Sequence, residues 1–238
     1  MVASVEPLYL DSGNSRLKWS YETEAGVFKD DIELCTFAVS HQIKQIVLST
    51  VTARYTSNTL KALLPSIAVH EVSVLNHYLG LELAYEDVTK LGVDRWLNML
   101  AVIGESTRCA KIVVSMGTAM TVDVINQKTR HVGGYIVPGL TTQILSLSER
   151  ASALPVVEVI GSTALGVNTL ECIGNGVLKS ASSLVEVLAK EWRAEHAVVT
   201  VTGGDGLLLS ESLDVQHDYR ANLIFEGMRA YWLAHLNT

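Results

Sequence analysis

Charge is scarce in this chain, and what there is runs acidic. Asp, Glu, Lys and Arg make up 18% of the 238 residues, against about 25% in typical soluble proteins. So low a value is in keeping with surface hidden in an oligomer. Lys plus Arg number 18 and Asp plus Glu 25, for a formal net charge of −7. That balance offers no basic stripe to a phosphate backbone and sets nucleic acid aside as a partner. Cysteine is equally thin. Cys35, Cys109 and Cys172 form no CxxC pair and are odd in number, which argues against a disulfide framework or a zinc site. Their simplest reading is as small buried apolar residues. The seven histidines follow no HExxH or similar spacing, so none is assigned to metal or catalysis. No long hydrophobic run exists either. The longest uncharged stretch, Val132 to Ser148, is broken by Gly133, Gly134, Pro138, Gly139 and Gln143, so it is no membrane span. The opening MVASVEPLYLDSGN has neither a basic start nor an apolar core, and the expected compartment is the cytoplasm.

Length and pattern then say what is present. At ~150 residues per domain the chain holds one to two domains, and no Pro/Gly/Ser linker divides it. Residues 8–12 (LYLDS) form a short apolar run ending at an acid, followed by Gly13-Asn14 and by SRLKWSY. There Leu17, Trp19 and Tyr21 alternate with Arg16, Lys18 and Ser20, the period-2 mark of a half-buried strand. The chain therefore opens with a β-hairpin, with a third strand expected near 26–34. Strands at 45–51 and 67–72 flank a helix at 54–64. A helical pattern then opens at Asp94, read as its N-cap.

Residues 112–116 (IVVSM), Gly117-Thr118 and Met120 to Ile125 repeat the opening theme. LYL-DSGN-SRLKW and IVV-SMGT-AMTVD begin about half a chain apart. This repeat predicts two similar lobes, 1–110 and 111–238, each a twisted mixed sheet with helices, meeting at a cleft. The second continues with a strand at 131–137, helices near 139–150 and 165–190, a strand at 197–202 leading into Gly203-Gly204-Asp205-Gly206, and a last helix near 220–236.

The turns carry the chemistry. Glycine lets backbone approach a ligand, and turn N–H groups point at anions. Asn14, Ser15, Thr118 and Thr121 add neutral donors, and Lys18 a point charge for phosphate. Asp11 suits magnesium, directly or through water. One DSGN alone reads as a plain hairpin with a surface lysine; two such turns in matching halves favour phosphate binding. Gly203-Gly204, between strand and helix, is of the kind that admits a nucleotide, although neither GxGxxG nor a P-loop occurs. Gly92-Val93-Asp94-Arg95 sets a proton acceptor beside a fork-like cation. Alone, it reads as a cap and a solvated charge.

Together these motifs resemble the type III pantothenate kinases, members of the actin/sugar-kinase/Hsp70-like ATPase superfamily. The matching residues are Asp11 to Lys18, Leu91 to Trp96 with Asn98, Gly117 to Thr121 with Asp123, and Gly133 to Gly139, in order and spacing. The resemblance implies an α/β fold of two duplicated RNase H-like lobes with ATP between them. It implies transfer of the ATP γ-phosphoryl group to pantothenate, giving phosphopantothenate, the first step towards coenzyme A. Asp94 is then the general base. Asp11, Ser12, Gly13, Asn14, Ser15, Arg16, Leu17 and Lys18 form the first phosphate loop; Gly117, Thr118 and Thr121 belong to the second, with Gly203 and Gly204 on the nucleotide. Tyr85, Gly92, Val93, Arg95 and Thr169 (with Thr163 as the alternative threonine) line the pantothenate pocket. Magnesium, a homodimer and a monovalent cation such as potassium or ammonium also follow. One residue departs from the pattern. The family usually carries Asp where this chain has Ser115, which puts the monovalent-cation site in doubt. Two other readings remain at this point: a superfamily kinase acting on another hydroxylated substrate, and a non-catalytic relative serving as a regulatory accessory protein.

Overall fold

The computed structural model describes residues 6–104, 108–151, 154–158 and 161–236. In chain order the elements begin with Leu8–Ser12 (β1), Leu17–Tyr21 (β2), Glu24–Phe28 (β3), Asp31–Ser40 (α1), Gln45–Thr50 (β4), Ser57–Leu63 (α2) and Ala68–Glu71 (β5). Two-residue strands His77–Tyr78 (β6) and Leu81–Glu82 (β7) precede Val93–Ile103 (α3). Then come Lys111–Met116 (β8), Ala119–Ile125 (β9), His131–Pro138 (β10), Leu140–Arg150 (α4), Thr169–Glu191 (α5), Val198–Thr202 (β11), Gly206–Glu211 (α6), His217–Tyr219 (β12) and Leu223–His235 (α7).

The chain divides into two compact units. The first comprises the described residues of Met1–Leu79, Tyr85–Ala101 and Ile224–Thr238, and the second those of Gly80–Ala84 and Val102–Leu223. The final helix thus groups with the first unit.

Each unit is built on a five-stranded mixed sheet. The orders are β3-β2-β1-β4-β5 and β10-β9-β8-β11-β12, the same topology twice. Three antiparallel strands form a meander, and the first of them then pairs in parallel with the fourth. This is the duplicated architecture that the repeat of DSGN and SMGT predicts. Parallel neighbours need crossover helices, which α1 and α2 provide in the first sheet and α5 and α6 in the second. Leu8, Leu10, Phe28, Leu34, Ile46, Leu48 and Leu60 form the core of the first unit. Ile112, Val114, Val122, Val177, Leu178, Val185 and Val201 do so in the second.

Local signals explain the element ends. Asp30 accepts a hydrogen bond from the Glu33 amide and starts α1, while Asn168 caps α5 through the Glu171 amide, both ordinary N-cap chemistry. Pro138 lies on β10, an edge strand where its missing N–H costs no ladder bond. Three expectations need correction. The third strand is Glu24–Phe28 rather than 26–34, because Asp30 caps α1 and the chain is helical from Asp31. Asp94 is not the N-cap of α3: the helix starts at Val93, and the Trp96 amide donates to the Gly92 carbonyl at 3.1 Å. Nor are the cysteines buried. Cys35 and Cys109 are half-buried and Cys172 is exposed; Cys35 packs against the margin of the first core.

Candidate active site

In the first unit, β1 ends at Asp11 and Ser12, and a four-residue turn leads to β2. The Gly13 amide donates to the Arg16 carbonyl at 3.2 Å, which closes the turn. Asn14, Ser15 and Arg16 are exposed at its tip. Asp11 pairs in register with Lys18 on β2 and with Ser49 on β4. Ser49 Oγ donates to Asp11 Oδ1 at 3.2 Å. Asp11 is only 7% exposed, and burial raises its carboxyl from 3.8 to about 6, with Lys18 pulling it down and Asp94 pushing it up. That last influence brings Asp11 and Asp94 into one electrostatic site. Ser12 is buried and its hydroxyl meets that of Thr52 at 3.0 Å.

Asp94 stands in the first turn of α3, and its position accounts for the neighbouring glycine. A Cβ at Gly92 would lie 2.5 Å from Asp94 Oδ1, so only glycine lets the carboxylate fold back over the start of the helix. Arg95 is 5% exposed; its Nη1 donates to the Tyr85 hydroxyl at 2.9 Å, and its guanidinium lies 5.8 Å from the Tyr85 ring centre. Leu17 and Val93 are buried, 5% and 8% exposed, so their side chains are not open to a ligand.

In the second unit, β8 and β9 are joined by Gly117-Thr118, closed by a hydrogen bond from the Gly117 amide to the Ala119 carbonyl at 3.0 Å. Two other segments press against this turn. The Thr118 carbonyl accepts from the Gly139 amide at 2.9 Å and from Thr142 Oγ1 at 2.7 Å. A Cβ at Gly139 would lie 2.0 Å from the Gly117 oxygen, and one at Gly203 would lie 2.3 Å from the Met116 oxygen. Gly203 also has φ +97°, a left-handed conformation that glycine alone adopts without strain. The Asp205 amide donates to the Met116 carbonyl at 3.3 Å. The turn, the N-terminus of α4 and the Gly203-Gly204 loop therefore converge on backbone atoms. Beside them lies a cavity of about 430 Å³ lined by Leu140, Ile144, Val157, Asp205 and Leu208. Thr121 faces Ser115 across the β8–β9 ladder.

Thr169 opens α5 and lines a second cavity of about 700 Å³ with Gln143, Asn168, Cys172, Ile173 and Ser180. Thr163 is not among its lining residues. Motif reading did not find Ser49 on Asp11, because nothing in QIVLST marks one serine. It quoted Asp123 without its partner: the carboxylate is 2% exposed, 3.0 Å from Nε2 of the fully buried His131.

Two separate chemistries emerge. The first unit holds a pair of coupled acids with a lysine and an arginine, while the second offers neutral donors and bare backbone. A family model for type III pantothenate kinases matches residues 7–191. The chain belongs to the type III pantothenate kinase family. A relative of that name from Sulfurihydrogenibium sp. is 32% identical over 192 residues, covering 78% of this chain and 75% of its own length. Among solved structures, a protein from Campylobacter jejuni, described as a conserved Baf-family transcriptional activator, superposes with a TM-score of 0.67 at 22% identity, covering 97% of this chain and all of its own. The activator of the 2-hydroxyisocaproyl-CoA dehydratase from Clostridium difficile, solved with bound ADPNP, gives 0.52 at 11% identity, covering 98% and 96%. These two likenesses show the fold alone. Membership of a kinase family carries with it the use of ATP.

Proposed function

We propose that this chain phosphorylates pantothenate with ATP in the first step of coenzyme A biosynthesis, with Asp94 as general base. The carrying observation is membership of this kinase family, in a chain that sets Asp94 in the first turn of α3 next to the buried Arg95. Phosphoryl transfer is mainly positioning and charge stabilisation. The turns at 13–16 and 117–118, with Gly203 and Gly204, bind the triphosphate, and Lys18 adds charge. The close approaches at Gly139 and Gly203 hold the second turn in place, since a Cβ at either would meet the backbone of Gly117 or Met116. Asp94 accepts the hydroxyl proton of pantothenate as the new P–O bond forms. Arg95, held by Tyr85, orients the substrate with Gly92, Val93 and Thr169.

Magnesium fits Asp11. Burial holds this carboxylate at about 6, with Lys18 pulling it down and Asp94 pushing it up, and a divalent cation there would add positive charge between the two acids and the phosphates. Ser115 brings no such charge, and we read the enzyme as independent of a monovalent cation. The duplicated halves, 1–110 and 111–238, each contribute one turn. The active form is a cytoplasmic homodimer; exposed Tyr135, Ile136, Leu145 and Leu147 supply apolar surface for it. Among the described residues no helix is long and apolar enough to cross a membrane.

The test is ADP release from MgATP with and without pantothenate in a coupled assay. Pantothenate-dependent release is expected. None, from folded protein with potassium or ammonium supplied, would return the question to another substrate or to a non-catalytic role. The coupled acids support a catalytic reading over the latter.

A further inference from the structure

The hairpin that carries Asp11 and Lys18 is gripped at its far end by a residue from the other end of the chain. Arg229, on α7, donates through Nη2 to Ser20 Oγ at 2.7 Å and to the Glu22 carbonyl at 3.1 Å. Its Nε lies 3.6 Å from Glu6 Oε1, and its guanidinium sits 5.2 Å from the centre of the Tyr9 ring. Ser20 Oγ in turn donates to the Glu24 carbonyl at 3.1 Å. Glu22 has φ 50°, a left-handed conformation costly for a residue with a Cβ, and its carbonyl is one of the two oxygens that Arg229 holds. One planar cation thus touches β1, β2, the turn between β2 and β3, and the chain entering β1.

The register gives this grip its consequence. Tyr9 pairs with Ser20, and Asp11 with Lys18. Residues directly opposite in an antiparallel ladder share a face, and so do residues two apart on a strand. Leu8 and Leu10 point into the core, so Tyr9, Asp11, Lys18 and Ser20 lie together on the other face. Arg229 therefore clamps the pleat immediately before the Asp11–Lys18 pair, about 7 Å along the strand. A slip of β1 against β2 at the clamp displaces Asp11 relative to Lys18 and reshapes the turn between them. Arginine suits this task because its rigid fork satisfies two acceptors at once while its face stacks on a ring.

We propose that Arg229 is a positioning residue for the phosphate-binding hairpin. It acts through Tyr9, Ser20 and Glu22 and touches no reacting atom. This inference rests on the kinase reading above and extends it to the end of the chain. It is tested with Arg229→Met, Arg229→Lys and Ser20→Ala in the full-length protein. For Arg229→Met, kcat/KM for MgATP should fall roughly ten- to hundredfold, while pantothenate affinity, measured by calorimetry, stays at the wild-type value. Arg229→Lys keeps the charge over Tyr9 and one donated bond, so it should recover part of the loss. Ser20→Ala should produce a smaller loss of the same kind. A folded Arg229→Met with wild-type kcat/KM for MgATP, or with equal losses towards both substrates, overturns the proposal. Should Arg229→Met fail to fold, wild-type kinetics in both other variants overturn it equally. Failure of the kinase reading looks different. The wild type then releases no ADP with pantothenate, and Mg·ADP affinity across the same variants still decides whether Arg229 shapes the hairpin.

Discussion

Asp11 and Ser115 occupy the same place in two copies of one sheet. Each lies two residues before the glycine of a tight turn, on the central strand of an identical strand order. Asp11 stands opposite Lys18 and beside Ser49; Ser115 stands opposite Thr121 and beside Thr202. The first position is an acid in a charged, hydrogen-bonded setting, and the second is a hydroxyl among hydroxyls. The turns differ in the same sense. An added Cβ would find room at both turn glycines, 3.8 Å from its neighbour at Gly13 and 3.6 Å at Gly117, but the second turn is also pressed by Gly139 and Gly203 at distances no Cβ tolerates. One copy is organised by side-chain charge and the other by backbone contact. A shared topology fixes where the turns are, and the residues at equivalent positions decide what each turn does.

If the acidic copy carries the proton chemistry, its loss should outweigh any neutral change in the other copy. Asp94→Asn keeps shape and removes the base, so kcat should drop by about two to four orders of magnitude. The coupled ADP assay on folded variant protein measures this. Turnover near wild type would leave the acidic copy without its assigned role.

The backbone-built copy should answer to volume instead. Gly203→Ala forces a left-handed alanine against the Met116 backbone, at a cost of roughly 2–5 kcal/mol in stability. At about 2–4 °C per kcal/mol for a chain of this size, calorimetry should register a clear fall in Tm. Gly13→Ala, with room around it, should melt close to wild type. Equal Tm values for the two variants would erase the distinction between the turns.

The acid in the first copy should also be visible in stability. Asp11 titrates near 6 when folded against 3.8 as its ordinary value. Between these values the folded chain binds more protons than the unfolded one, so stability falls as pH rises through the window. The cost is complete above about pH 6 and absent below about pH 4. In magnesium-free buffer Asp11→Asn should therefore be more stable than wild type at pH 7, by about 1–3 kcal/mol. That gap should close on acidification, and urea unfolding at both pH values measures it. A gap that persisted at low pH would mean that ionisation is not its source.

Much of this comparison was legible before any coordinates. Glycine turns and period-2 alternation are local, so LYL-DSGN-SRLKW and IVV-SMGT-AMTVD announced two hairpins in matching halves. The helix at 140–150 follows an equally local face, whereas the one at 31–40 reads in part as strand, its cap at Asp30 going unnoticed. What stayed hidden depends on distance along the chain. Ser49 reaches Asp11 through a parallel pairing, and Arg229 reaches Ser20 from the last helix. Neither carries a motif. Asp94 looked like a cap because an acid before an apolar helical run usually is one. It lies inside the first turn instead, and the missing Cβ at Gly92 lets its carboxylate fold back over the helix start. The glycines at 139 and 203 were visible as letters, but their contacts with Gly117 and Met116 were not.

The smallest expected effect bears most directly on the difference between Asp11 and Ser115. A monovalent cation held at the second turn needs negative charge or several well-aimed oxygens. At Ser115 the ladder supplies the hydroxyl residues Ser115, Thr121 and Thr202, none of them ionised. Neutral oxygens replace a cation's hydration shell without the Coulombic gain that offsets dehydration. Initial rates should therefore be the same in potassium, ammonium or a large organic cation at constant ionic strength. Ser115→Asp should break that equality, because it restores to the second copy the charge that the first copy has at Asp11. The variant should become faster in potassium than in the organic cation. Strong potassium activation of the wild type would show that hydroxyls and backbone suffice, and the contrast between the two turns would then lie in packing alone.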